Sequence, residues 1–317
     1  MENPAQPFPF TNEKKMKIKA WLHAARLRTL PLSVSGIIVG SGLAAVLDKW
    51  DGLIFMLSLV TTIGFQVVSN LANDLGDSQK GTDNEHRVGP KRTVQSGQIS
   101  PSGMKRGIIV TSVISAISAL TLIVVSAKNL NAQTLLFFLI LAGLCIIAAI
   151  TYTVGKNAYG YRGLGDVMVF IFFGLVSVLG VFRLYGLSFE WLTFFPAITI
   201  GLWSTAVLNL NNLRDIENDR ISKKNTLVVQ LGFEKGKKYH ASLIVGGALA
   251  WWTTVYLLAK LSMNPLLFIS LFPSIFLFIH LKKVFLTTQP ESLDGELKKV
   301  ALLTFFSAVL FSLTLNY

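Results

Sequence analysis

The feature that most constrains this chain is the recurrence of long apolar runs. A helix that crosses a bilayer needs roughly 20 mostly apolar residues, and hydrocarbon leaves its backbone N–H and C=O groups no partner except one another. Nine runs meet that length, at about residues 28–47, 53–73, 106–127, 132–152, 165–184, 191–211, 240–259, 264–281 and 300–316. The expected fold is therefore an all-α membrane protein of nine transmembrane helices, forming a single domain over residues 1–317. The eighth run is short and contains Pro273, and the ninth reaches the last residues of the chain. Pro31, Gly36, Gly40 and Gly42 in the first run suit close contact between helices.

Composition agrees, with 52% hydrophobic and 15% charged residues and a mean hydropathy of +0.55. A net charge of +12 would suit nucleic acid, but the basic residues flank the apolar runs instead of gathering in one polar domain, and no nucleic-acid partner is expected. Residues 1–20 form a basic N-terminal segment carrying Lys14, Lys15, Lys17 and Lys19, without the apolar centre of a cleavable signal peptide. If that segment is cytoplasmic, 25 of the 29 Lys and Arg residues fall on the cytoplasmic side, leaving Lys49, Lys128, Arg183 and Lys260 on the other. The positive-inside rule favours that orientation. The lone cysteine, Cys145, sits inside an apolar run and is read as a small core residue.

Two polar stretches interrupt this pattern, each just after an even-numbered run. The first, from Asn70 to Gly97, sets Asp74, Asp77, Asp83 and Glu85 beside Lys80, Arg87, Lys91 and Arg92; the second runs from Asn211 to Thr226. Four crossings separate them, so both lie on the cytoplasmic face. On a helix, Asn70, Asp74, Asp77 and Gly81 fall within an arc of roughly 60°, and Asn211, Asp215 and Asp219 within roughly 80°. Each stretch thus presents an amide and two carboxylates on one face.

Oxygen donors without thiols or paired histidines suit a hard cation such as Mg²⁺, which keeps several waters and bridges carboxylates to a substrate phosphate. Arg87, Lys91, Arg92, Arg214, Lys223 and Lys224 would supply positive charge to the same anion. The plainer reading is a set of solvated helix-end charges. Carboxylates at mid-helix depth cost about 2.5–3.5 kcal/mol on insertion scales, and those that persist usually mark function.

A third polar loop, Tyr152 to Asp166, carries Lys156, Arg162 and several tyrosines. Lys156 could reach a phosphate, while the tyrosines read as interfacial anchors. Arg26 and Arg28 could cap the pocket or simply be positive-inside charges. His23, His86, His240 and His280 show no pairing in the sequence and are given no role.

The segments NDLGDSQKGTD (Asn73 to Asp83) and NNLRDIENDR (Asn211 to Arg220) resemble the two aspartate-rich motifs of the UbiA superfamily of intramembrane aromatic prenyltransferases. RTLP at Arg28, RVGPKR (Arg87 to Arg92) and KNTLVVQLG (Lys224 to Gly232) are similar to its 1,4-dihydroxy-2-naphthoate polyprenyltransferase branch. Gly81 stands where the wider superfamily more often has a third aspartate. Asp83, two residues on, could ligate metal, hold the loop or do neither.

The resemblance implies a nine-helix protein of the bacterial cytoplasmic membrane that uses Mg²⁺ to ionise a polyprenyl diphosphate. It implies that Asn70, Asp74, Asp77, Asn211, Asp215 and Asp219 face the metal, and that Lys91, Arg92, Lys156, Lys224 and Arg28 contact the diphosphate. The acceptor it implies is 1,4-dihydroxy-2-naphthoate, with 4-hydroxybenzoate as the nearest rival; a cation or solute transporter is the more distant one. Because burial gains about 0.8 kcal/mol per methylene, a long prenyl chain stays in membrane lipid. The helices should then surround a central cavity open to the cytoplasmic face and sideways to lipid.

Overall fold

The computed structural model describes residues 9–84 and 88–317, with side chains from residue 16 onward. Among the described residues every regular element is helical, and nine helices are long and apolar enough to cross a membrane: Met16–Val46, Gly52–Gln79, Pro101–Asn129, Ala132–Thr151, Gly165–Leu184, Trp191–Arg214, Phe233–Ser262, Pro265–Leu286 and Pro290–Leu315. They are numbered here as the first to the ninth span. Each expected run lies on one of them.

The ends differ from the expectation in ways that matter. The basic N-terminal segment joins the first span as a helix, Pro9–Ala25, and a sharp turn follows in which Arg26 is left-handed (φ 51°) before the helix resumes at Leu30. Pro31 sits in that first resumed turn, where its missing N–H costs nothing. The second span continues six residues past the expected end, to Gln79, and so carries Asn70 through Asp77 on regular helix. Pro273 occupies the first turn of helix Phe272–Leu286, after a short tight turn over Pro265–Leu271, and does not interrupt the eighth span.

The first span packs closely on the fifth. A Cβ on Gly40 would lie 2.5 Å from the Val178 carbonyl oxygen, so only glycine permits that approach. The fifth span widens into π-helix over Phe170–Gly180, a form that often accompanies functional sites. On the opposite side Trp203, Trp251 and Phe311 stack with centroids 6.0 and 4.9 Å apart, joining the sixth, seventh and ninth spans. Both indole N–H groups donate to backbone carbonyls, at Ile244 and Ser270, which lets these rings be buried without an orphaned donor.

The histidines correct the sequence reading. His240 and His280 are paired, Nε2 to Nε2 at 2.8 Å, and His280 Nδ1 meets Glu296 Oε2 at 2.7 Å. Lys283 and Lys299 reach the other Glu296 oxygen at 2.8 and 2.7 Å. Seventh, eighth and ninth spans are thereby joined near the start of the ninth. Three helices bring these residues together across 40 and 16 positions, a juxtaposition that spacing along one chain does not encode. His23 is exposed, and His86 lies outside the described residues.

Candidate active site between the two acidic motifs

A cavity of about 390 Å³ opens where the second and sixth spans end. Its mouth is polar, with Asn73, Asp77, Asp215, Asp219, Arg92 and Lys224. Deeper, Phe138, Cys145, Phe172, Phe173 and Leu184 make an apolar wall.

The two motifs meet at the mouth. Lys224 lies 3.8 Å from Asp219, and the Asn218 amide donates to the Thr82 carbonyl at 2.9 Å. Burial opposes the charge on Lys224, but Asp219 and Asp77 outweigh it and hold the ammonium above the ordinary lysine range.

Around the second span, Asn73 and Asp74 lie on opposite sides of Asp77, by about 40° and 60°. The cavity lies on the Asn73 side. Asp74, expected to face the metal, instead spends both carboxylate oxygens on the following loop, accepting from Thr93 N and Oγ1 at 3.1 and 2.6 Å and from Val94 N at 3.2 Å. Asn70 reaches the cavity wall, but its amide donates to Ala25 O at 2.9 Å and Thr29 Oγ1 at 3.3 Å, pinning the turn after the N-terminal helix. Asn73, one helical turn before Asp77, borders the cavity and was given no role in the sequence reading. Its Oδ1 is buried without a hydrogen-bond partner.

In the second motif the helix breaks at Asp215, yet the i, i+4 stacking survives. Asp215 N donates to Asn211 O and Asp219 N to Asp215 O, at 3.0 and 2.8 Å. Arg214, expected to supply charge to the anion, does not border the cavity. Its guanidinium forks onto Asp215 at 2.8 and 2.6 Å and also reaches Asn211 and Asp294.

Of the other expected cations, Arg92 and Lys224 border the cavity and Arg28 stands exposed at its rim. Lys91, Lys156 and Lys223 are exposed and stand off the cavity wall, although Arg92, beside Lys91, and Tyr159, in the loop of Lys156, border it. Glu85 and Arg87 lie outside the described residues.

Tyr161, read as an interfacial anchor, instead contacts Asp77 at the mouth. Its hydroxyl donates to Asp77 Oδ1 at 2.8 Å, and Thr82 Oγ1 in turn donates to it at 2.6 Å, since the single phenolic proton is already committed. Burial, then the Asp77 charge, pushes the Tyr161 hydroxyl pKa upward, so it stays a donor. Lys80 stacks 3.9 Å over the Tyr161 ring. At the ninth span Asp294, Leu297, Lys298 and Ala301 face the cavity at helical spacing, a pattern legible in the sequence but not used there.

Gly81 has φ +72°, a left-handed turn that ends the second span. The following Asp83 is buried and faces Arg92 Nε at 3.8 Å, which gives it a loop-holding contact.

The donor set fits Mg²⁺. Among the described residues no three His, Cys, Asp or Glu side chains gather on one point. A hard cation here would be held by carboxylates and amide oxygens. The unpartnered buried Oδ1 atoms of Asn73 and Asn218 are donors of the required kind.

Residues 33–313 match the UbiA prenyltransferase family. The chain belongs to that family. Among curated UbiA relatives, the 1,4-dihydroxy-2-naphthoate octaprenyltransferase of Haemophilus influenzae is 43% identical over 95% of this chain and 98% of its own length. The enzyme of that name from Escherichia coli is 47% identical over 74% of this chain and 76% of its own. A UbiA homolog from Archaeoglobus fulgidus, solved with DMAPP and Mg²⁺ bound, superposes with a TM-score of 0.63 at 15% identity, over 92% of this chain and 99% of that one. That likeness speaks to the fold.

Proposed function

We propose that this protein transfers a polyprenyl group from polyprenyl diphosphate to 1,4-dihydroxy-2-naphthoate, releasing diphosphate and CO₂ and giving demethylmenaquinone in its reduced, quinol form, a step of menaquinone biosynthesis. The observation that carries the chemistry is the meeting of two acidic motifs, remote in sequence, at the polar mouth of one apolar cavity. The choice of acceptor rests on the naphthoate-specific relatives.

Asp77, Asp215 and Asp219, with the amide oxygens of Asn73 and Asn218, would hold Mg²⁺, which when bound neutralises charge on the departing diphosphate. Lys224 and Arg92 take diphosphate oxygens directly, and Arg28 guards the rim. Tyr161 fixes the Asp77 carboxylate. The apolar wall houses the start of the prenyl chain and excludes water from the allylic carbon as its bond to oxygen lengthens. The electron-rich ring carbon that bears the carboxylate then bonds to that carbon, and the carbon–carboxylate bond breaks to release CO₂. No ring proton has to be removed, so no strong general base is required at the acceptor.

As a multi-pass protein whose basic loops share the face of the site, it would lie in the bacterial cytoplasmic membrane with the cavity mouth toward the cytoplasm. The test is incubation of the purified protein with Mg²⁺, a polyprenyl diphosphate and either dihydroxynaphthoate or 4-hydroxybenzoate, followed by mass analysis of the lipid. Prenylated naphthoate without its carboxylate supports the reading. Product from 4-hydroxybenzoate alone would overturn the choice of acceptor.

A further inference from the structure

We infer that Asp294, at the start of the ninth span, is a positioning residue that sets the second acidic motif through Arg214. The Arg214 guanidinium is buried, 2% exposed, and four of its five N–H donors are committed. Nε and one terminal nitrogen grip the two oxygens of Asp215. The same terminal nitrogen holds the Asn211 oxygen at 3.0 Å, and the other reaches Asp294 Oδ1 at 2.5 Å.

Charge makes the third partner necessary. A bidentate arginine alone would neutralise Asp215 and weaken it as a donor to a cation. With Asp294 the trio carries a net charge of −1 facing the cavity, and the guanidinium plane is fixed from two sides. The His240, His280 and Glu296 bonds hold the first turn of the ninth span against its neighbours, so the place from which Asp294 reaches Arg214 is itself anchored. Partners that orient a metal ligand from behind typically account for ~10- to 100-fold in metal affinity or activity.

The inference rests on the reading of Asp215 as a metal-facing group, and it is tested without turnover. Mn²⁺ with inorganic diphosphate is titrated into the purified protein, and the loss of the free-ion electron paramagnetic signal reports binding. Asp294→Asn, which keeps the shape, is expected to weaken Mn²⁺ binding ~10-fold or more. Asp294→Glu should recover part of the loss. The metal-free unfolding temperature of both variants should stay near that of the unaltered protein, and Asp51→Asn, at the exposed Lys128 ion pair, should bind as before. In the prenyl-transfer assay Asp294→Asn should raise the Mg²⁺ concentration for half-maximal rate more than the KM for acceptor.

Unchanged Mn²⁺ binding in Asp294→Asn overturns the inference, as does a loss that merely follows lower thermal stability. Should the unaltered protein bind Mn²⁺ and diphosphate in an Asp294-dependent way yet prenylate neither acceptor, the inference stands and the proposed acceptor falls.

Discussion

The Asn218 side-chain amide donates to the Thr82 carbonyl oxygen at 2.9 Å, across 136 positions of sequence. This bond ties the loop after the second span to the short helix Ile216–Ile221 after the sixth. It brings Asp77 and Asp219 to the same mouth, with Lys224 between them.

Removal of either acid should therefore stop the reaction at the same step. Asp77→Ala and Asp219→Ala are expected to lower kcat by at least ~10²- to 10³-fold, the usual scale for a lost electrostatic contact in a transition state. The measurement is Mg²⁺-dependent diphosphate release from protein shown to be inserted in membrane. Turnover near the unaltered rate in either variant would remove these carboxylates from the site.

Asp74 should behave differently. Its three bonds to Thr93 and Val94 hold the loop that carries Arg92, and hydrogen bonds to a charged group contribute about 1.5–3 kcal/mol. Asp74→Asn is expected to lower the thermal unfolding temperature in detergent while leaving the Mg²⁺ activation constant within about two-fold, less than the ~10-fold typical of a lost orienting partner. A large change in that constant with unaltered stability would return Asp74 to the metal.

Tyr161→Phe removes one bond to the Asp77 carboxylate and keeps the ring under Lys80. A bond of that kind converts to a ~10- to 100-fold fall in kcat. KM for the prenyl diphosphate should move little, and steady-state kinetics separate the two.

The pH profile follows from Lys224. Its folded pKa is raised above the unfolded value, so its favourable contribution is complete below the unfolded lysine pKa and lost only as pH rises through the higher folded one. Between roughly pH 6 and 9 neither diphosphate binding nor stability should show a break from this group. Lys224→Met should weaken binding by a constant factor over that range, measured by isothermal titration with Mg²⁺ and diphosphate.

Gly81→Ala tests the turn after the second span. No atom lies within 4 Å of the added Cβ, so the cost is the left-handed backbone alone, about 1–2 kcal/mol. Asn, which tolerates that conformation better, should cost less in the same thermal unfolding measurement.

The nine spans were legible because hydrocarbon demands length and apolarity of each helix separately, a constraint written along the chain. That Asp215 and Asp219 share one side was legible for a related reason, since i, i+4 spacing stacks them along a helix, and both border the cavity. Which side of Asp77 meets the cavity was not, because Asn73 and Asp74 differ only in what packs outside their own helix. The positions of Arg214, Tyr161 and the histidine pair were equally hidden. Each depends on a partner from another span, and a hydrogen bond across 80 residues leaves no periodic trace.

Glu296 lies fully buried between the eighth and ninth spans, held by His280 and two lysines. Loss of these partners would leave a buried carboxylate without compensation, so the bonds hold the eighth and ninth spans to one another. Through His240 the same bonds tie both spans to the seventh. A change at any one of these side chains is thus felt by three helices at once.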